Sequence, residues 1–218
     1  MCLRAWPRLG TIARHGCGAD VDTNSGGIDA FPGAGLAGRA EKILMATKGR
    51  ILILVGPEYE DLEVWYPRLR LEEAGYDVKL AGIGEREYHG KHGYPCVVDG
   101  HVADFPASGL AGIVAPGGWA PDKLRRDPEV LARVREVHRA GGMVATICHG
   151  PWVLISAGIV RGRRMTSTVG IRDDLVNAGA EWVDEPAVID GNIVSARVPK
   201  DLPAFGRAML EVLGRASR

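Results

Sequence analysis

Three short apolar runs constrain this chain more than anything else in it. "RILILVG" (50–56), "AGIVAPGG" (111–118) and "MVATI" (143–147) are too short for buried helices and rich in β-branched residues, and two of them end in glycine. Segments of helical character separate them. "EDLEVWYPRLRLEEAG" places Leu62, Trp65, Leu69 and Leu71 near helical spacing, with Gly75 as a stop. Pro67 is expected to kink that helix or mark its edge. "DPEVLARVREVHRAGG" turns Leu131, Val134 and Val137 inward, and "DVKLAG" adds a strand. "VVDGHVA" (97–103) reads as a small hairpin turning at Asp99-Gly100. "PWVLISAGIV" (151–160) and "IRDDLVNAG" (171–179) read as helices, "AVIDGNIVSA" (187–196) as a hairpin turning at Gly191-Asn192, and a last helix starts at Asp201. This alternation predicts an α/β fold with a mostly parallel central sheet covered on both faces.

Residues 1–44 lack any such pattern. They are Gly-rich and read as a disordered extension, or as a stretch upstream of a true start at Met45, leaving 45–218 as the domain. The whole chain of 218 residues has zero net charge, which argues against nucleic-acid binding or a polybasic membrane surface, and no apolar run approaches the length of a membrane span. Four cysteines without a CxxC or a regular framework read as reduced thiols in a cytoplasm.

In a parallel sheet, sites form beyond the carboxyl ends of the strands. Three chemically unusual loops fall there: "GPEYED", "PGGWAPD" and "CHG". Cys148 leaves a strand and opens a helix, the geometry of a nucleophile elbow, although Thr146 replaces the first Gly of the G-x-S-x-G pattern. The helix N-terminus is expected to lower its pKa. No His follows His149, so the downstream-His order of papain-like proteases is excluded, and His149 is the nearest base. Glu58, Glu60, Asp61 and Glu63 crowd the end of the first strand; one of them is expected to hold a proton beside the thiol. Gly117-Gly118 and the amide of His149 offer an oxyanion hole. His89, His92 and Cys96 resemble a metal half-site without a second half, and no metal or cofactor is expected.

"ATICHGPWVLISAGIVRGRRMTS", with "PEYEDLEVWYP", "GKHGY", "PGGWAPD", "IRDDLVNAGAEWVD" and "DGNIVSARVPKDL", resembles the DJ-1/PfpI superfamily, in its PfpI-like branch (peptidase family C56). The resemblance runs from about Ile51 to the C-terminus. It implies a flavodoxin-like three-layer sandwich. Nucleophilic Cys148, His149 beside it, and Glu60 as the acid on the thiol are implied too. So is an oxyanion hole at the amides of Gly118 and His149. It further implies a homodimer or larger homo-oligomer in which an acid of the neighbouring subunit, here Asp122, reaches the His. Trp119 and Thr168 stand where relatives often carry Arg and Tyr, and are read as substrate-binding. The implied activities are glyoxalase III chemistry or deglycation of small carbonyls and glycated proteins, C56-type proteolysis, or a non-enzymatic redox-sensing or chaperone role in stress. A chain beginning at Met45 is expected to remain soluble and as active as the full chain; loss of the folded state in that truncation would refute the division.

Overall fold

The computed structural model describes residues 47–216. The division expected at residue 44 lies outside them. The elements are β1 (Arg50–Leu54), α1 (Asp61–Glu73), β2 (Asp77–Gly82), β3 (Glu87–His89), β4 (Pro95–Val97), β5 (Gly100–His101), β6 (Leu110–Ala115), α2 (Ala120–Leu124), α3 (Pro128–Arg139), β7 (Met143–Ile147), α4 (Pro151–Ala157), β8 (Arg164–Met165), α5 (Arg172–Asn177), β9 (Glu181–Trp182), β10 (Ala187–Asp190), β11 (Ile193–Ala196) and α6 (Leu202–Ala216). A seven-stranded sheet runs β10-β11-β7-β6-β1-β2-β5, parallel except for the β10–β11 hairpin. Helices α1 and α6 pack on each other; α1 also packs on β1 and β2, and α6 on β7, β10 and β11. Helices α3 and α4 pack together, and α3 lies on β6 and β7. This is the expected doubly covered α/β architecture. Among the described residues no helix is long and apolar enough to cross a membrane.

The apolar runs do what their composition demands. Ile51 to Val55 and Val144 to Ile147 are buried because both faces of the sheet carry helices. Asp127 caps α3, its carboxylate accepting the Glu129 and Val130 amides at 2.8 and 3.1 Å, while Pro128 occupies the first helical position. Helix α4 stops at Ala157, three residues before the expected end, where Gly158 takes a left-handed φ of 73°.

Two expectations give way to tertiary contacts. The hairpin over 97–103 does not form. Instead β4 pairs antiparallel with β3, and β5 joins β2 in parallel at the sheet edge. Asp99 is the reason: its amide donates to Leu80 O and its carboxylate accepts the Leu80 N–H, both at 2.8 Å, so the chain is tied to β2 where it would have turned back. Helix α1 runs unbroken through Pro67, and its inward face is Glu63, Val64, Pro67 and Leu71. Leu62 and Leu69, read as part of the apolar stripe, are 57% and 63% exposed. The Asp61 carboxylate sets this rotation, since it accepts the amides of His92 and Tyr94 at 3.1 and 3.2 Å.

Strand order reverses between β1 and β6, so the crevice at the carboxyl ends opens between the loops after β1, β6 and β7. The turn after β7 is packed against its neighbours. A Cβ at Gly150 would meet Ala115 O at 2.1 Å and Thr146 Oγ1 at 2.4 Å. Gly150→Ala is therefore expected to destabilise the fold by about 1–3 kcal/mol, a fall in Tm of roughly 2–12 °C by calorimetry.

Candidate active site

Cys148 holds a left-handed φ of 61°, rare for a residue with a side chain and characteristic of a strained strand-to-helix elbow. Its amide donates to Ala196 O at 3.1 Å and its carbonyl accepts the Thr168 N–H at 3.2 Å, so β11 and the segment after β8 fix the turn. Sγ lies 3.3 Å from His149 Nδ1. The backbone N–H groups of Gly118 and His149 both act on the sulfur, which is where the sequence placed an oxyanion hole. The thiol is half-buried, and burial followed by the Glu63 charge pushes its pKa up to about 12 against the pull of those amides. The expected depression by the helix terminus is outweighed by desolvation.

The acid at the thiol is Glu63, and this corrects the assignment to Glu60. The Glu63 carboxyl is fully buried, and Oε2 accepts the Gly117 N–H at 2.7 Å. A Cβ on Gly117 would lie 2.6 Å from Glu63 Oε2 and 2.7 Å from Cys148 Cβ, which measures how closely acid and thiol flank that residue. Oε1 is buried with no hydrogen-bond partner, and the Cys148 thiol is among the groups that act on the carboxyl. Burial raises Glu63 to about 8, opposed by the Gly117 N–H and assisted by the Glu60 charge. Acid and thiol form one coupled pair, whose first proton leaves near 8 and whose second is held to about 12.

Glu60 has another task. Its side chain is 5% exposed, with Oε2 2.5 Å from Lys91 Nζ and Oε1 3.8 Å from His92 Nε2. The Lys91 ammonium, raised by its hydrogen bond to Glu60, also acts on Cys148 and Glu63. Together with burial it lowers the His149 pKa, so the imidazole beside the sulfur is neutral at pH 7. Lys91 went unassigned in the sequence reading; its place in "GKHGY", a motif of the resemblance, was the available signal. Glu60, Asp61 and His92 bring ligand atoms within 4.8 Å of one another. Their negative charge is already matched, by Lys91 on Glu60 and by backbone amides on Asp61. His89 and Cys96 do not join them, because Cys96 is fully buried in the core and His89 is exposed.

The remaining residues divide. Trp119 and Trp152 flank His149, with ring centroids 5.6 and 5.2 Å from the imidazole. Thr168 reaches the elbow through its backbone, and its side chain lines a separate cavity with Trp182, Arg197 and Lys200. Asp122 is not brought to His149 within the chain. Both its oxygens accept from Arg126 Nη2 at 2.7 Å, and Lys123 Nζ lies 3.5 Å away, which lowers its pKa.

Residues 49–212 match the DJ-1/PfpI family. The chain belongs to that family. It is 44% identical over 164 residues to a Pyrococcus furiosus protein named deglycase PfpI, covering 75% of this chain and 99% of the relative. A Pyrococcus horikoshii protein named as a deglycase matches at the same identity and coverage. Among solved structures, a two-domain Anabaena variabilis protein with DJ-1/ThiJ/PfpI-like and ferritin-like domains superposes with a TM-score of 0.73 at 40% identity, over 76% of this chain and 48% of that one. Drosophila melanogaster DJ-1beta superposes with a TM-score of 0.70 at 25% identity, over 78% of this chain and 95% of that one. The central sheet described above is thus the DJ-1/PfpI form of the flavodoxin-like fold.

Glu63 yields a stability test as well as a kinetic one. Its folded-state pKa is raised, so the stability it contributes is complete below the unfolded value of 4.5 and is lost as pH rises through about 8. Glu63→Gln removes that loss, and the Tm of the variant relative to wild type is expected to rise between pH 5 and about pH 8 and to level off above it. Turnover should fall about 10²–10⁴-fold if proton transfer is the term removed. Glu60→Gln is expected to have the smaller kinetic effect; the reverse ranking would return the acid's role to Glu60.

Proposed function

We propose that this protein is a cysteine-dependent enzyme acting on small reactive carbonyls, of the glyoxalase III or deglycase type. The observation that carries the reading is the pairing of a strained, amide-faced thiol with a buried acid that keeps its proton at neutral pH. The deglycase names of relatives 44% identical to the chain support it.

On a 2-oxoaldehyde, the Cys148 thiol passes its proton to neutral His149 as sulfur bonds to the aldehyde carbon. The carbonyl π pair moves to oxygen, which the Gly118 and His149 amides hold. That oxygen takes the Glu63 proton and becomes the hydroxyl of a hemithioacetal. The carboxylate so formed can accept the hydrogen of the former aldehyde carbon as a proton, while His149 returns a proton to the neighbouring carbon. The hydroxyl proton of the hemithioacetal passes to the neighbouring oxygen, which becomes the new hydroxyl as the C–O bond at the first carbon becomes the thioester carbonyl. One carbon is oxidised and the next reduced, so no external oxidant is needed, and the product is a thioester of the hydroxy acid. Water then cleaves the C–S bond and sulfur regains its proton. The sum is 2-oxoaldehyde plus water giving 2-hydroxy acid. A glycated amine enters the same path when the thiol displaces the amine from its adduct carbon. Trp119 belongs to the substrate surface in this reading, and Thr168 supports the site through its backbone bond to Cys148. Asp122 serves a second copy of the chain, whose His149 it orients, in a homodimer or larger assembly.

Wild type is expected to release lactate from methylglyoxal and Cys148→Ser to release none above background. Lactate formation that survives in Cys148→Ser, or is absent from wild type, rejects the reading.

A further inference from the structure

Beside the thiol site lies a cavity of about 380 Å³ lined by Pro57, Glu58, Trp119, Asp122, Lys123 and Trp152. Its two indoles are the same two that flank His149, so the cavity wall and the catalytic imidazole share an aromatic layer. Trp119 immediately follows Gly118, whose amide acts on the sulfur, and is 56% exposed.

Trp119 is held through its backbone and Trp152 through its indole. The Trp119 backbone N–H donates to Glu58 O at 2.9 Å, and a bridge between Tyr59 and Gly118 joins the two loops. Trp152 Nε1 donates to Asp174 at 2.7 Å, and the Arg125 guanidinium, itself hydrogen-bonded to Ser156 at 2.9 Å, lies 5.6 Å from the Trp152 ring centroid. The charges at the rim are balanced. Asp122 is matched by Arg126 and Lys123, and Glu58 alone is left against the second positive charge of that group. A rim of this kind selects neither cations nor anions strongly, whereas the indole faces and Pro57 favour an uncharged planar group.

We propose that the cavity is a subsite for an uncharged aromatic substituent on the carbonyl substrate, so that aryl 2-oxoaldehydes are preferred to methylglyoxal, with Trp119 as the specificity-determining residue. The proposal rests on the carbonyl-adding reading above. Trp119 and Trp152 stand against His149, whose Nδ1 is 3.3 Å from the Cys148 sulfur, so both indoles are within reach of an aryl group on a carbon bonded to that sulfur. The overall change for phenylglyoxal is phenylglyoxal plus water giving mandelate, by the steps already balanced.

The test has a kinetic arm and a binding arm. The kinetic readout is the ratio of kcat/KM for phenylglyoxal to that for methylglyoxal, because loosening His149 affects both aldehydes alike. Wild type is expected to favour phenylglyoxal by about tenfold or more, and Trp119→Ala to reduce that ratio about tenfold, with Trp119→Leu intermediate. The binding readout is saturation-transfer NMR on Cys148→Ser protein, with benzamide, benzoate, benzamidinium and acetamide as probes. Benzamide is expected to give the strongest signal and to lose it when Trp119→Ala is added. If wild type turns over neither aldehyde, the carbonyl reading fails, and the benzamide result still decides the subsite. An unchanged kinetic ratio in Trp119→Ala, a benzamide signal indifferent to Trp119, or a preference for benzamidinium or benzoate overturns the proposal. So does dissociation of an oligomer by Trp119→Ala with binding intact, which would make the exposed ring an interface residue.

Discussion

The hydrogen bond from the Gly117 amide to buried Glu63 Oε2, at 2.7 Å, is the contact on which the site depends. It joins helix α1 to the loop after β6, two elements that meet only in the folded sheet. Neighbouring backbone bonds reinforce it: the Glu60 N–H donates to Gly117 O at 3.2 Å and the Trp119 N–H to Glu58 O at 2.9 Å. This stitching aims the Gly118 amide at the sulfur and sets the acid beside it. Without the carboxyl, a buried amide would go unsatisfied, at about 1–3 kcal/mol. The acid thus holds in place the loop that carries the Gly118 amide.

Two carboxylates three residues apart take different roles because their surroundings differ. Glu63 lies against the core with one amide for company, and desolvation keeps its proton on. Glu60 meets the Lys91 ammonium at 2.5 Å. Burial, helped by that ammonium, lowers the His149 pKa, and a neutral imidazole 3.3 Å from the sulfur can take a proton where an imidazolium could not. Environments that separate the protonation states of neighbouring groups are the usual means of running acid and base chemistry at one pH.

Much of the fold was legible because it follows from periodicity. Short β-branched runs between helical segments leave few arrangements other than a covered parallel sheet, and the Cys148 turn announced itself by interrupting two buried segments. The edge of the sheet was not legible. "VVDGHVA" has a turn dipeptide, and only the Asp99 contacts with Leu80 show that the chain joins β2 there. The face of α1 was misread for a similar reason. Leu62, Trp65 and Leu69 make a plausible stripe, but the Asp61 bonds to His92 and Tyr94 rotate the helix so that Glu63, Val64, Pro67 and Leu71 turn inward.

The sequence by itself determined the class of fold, the carboxyl-end location of the site, the thiol at a strained turn, and the amides beside it, because each follows from local composition and from the direction of a parallel strand. Only the tertiary structure decided which of four nearby acids faces the thiol, that burial raises the thiol pKa where the helix terminus would lower it, and that two indoles enclose His149 next to an open cavity. These depend on helix rotation, desolvation and contacts between residues far apart in the chain, for which sequence spacing carries no signal.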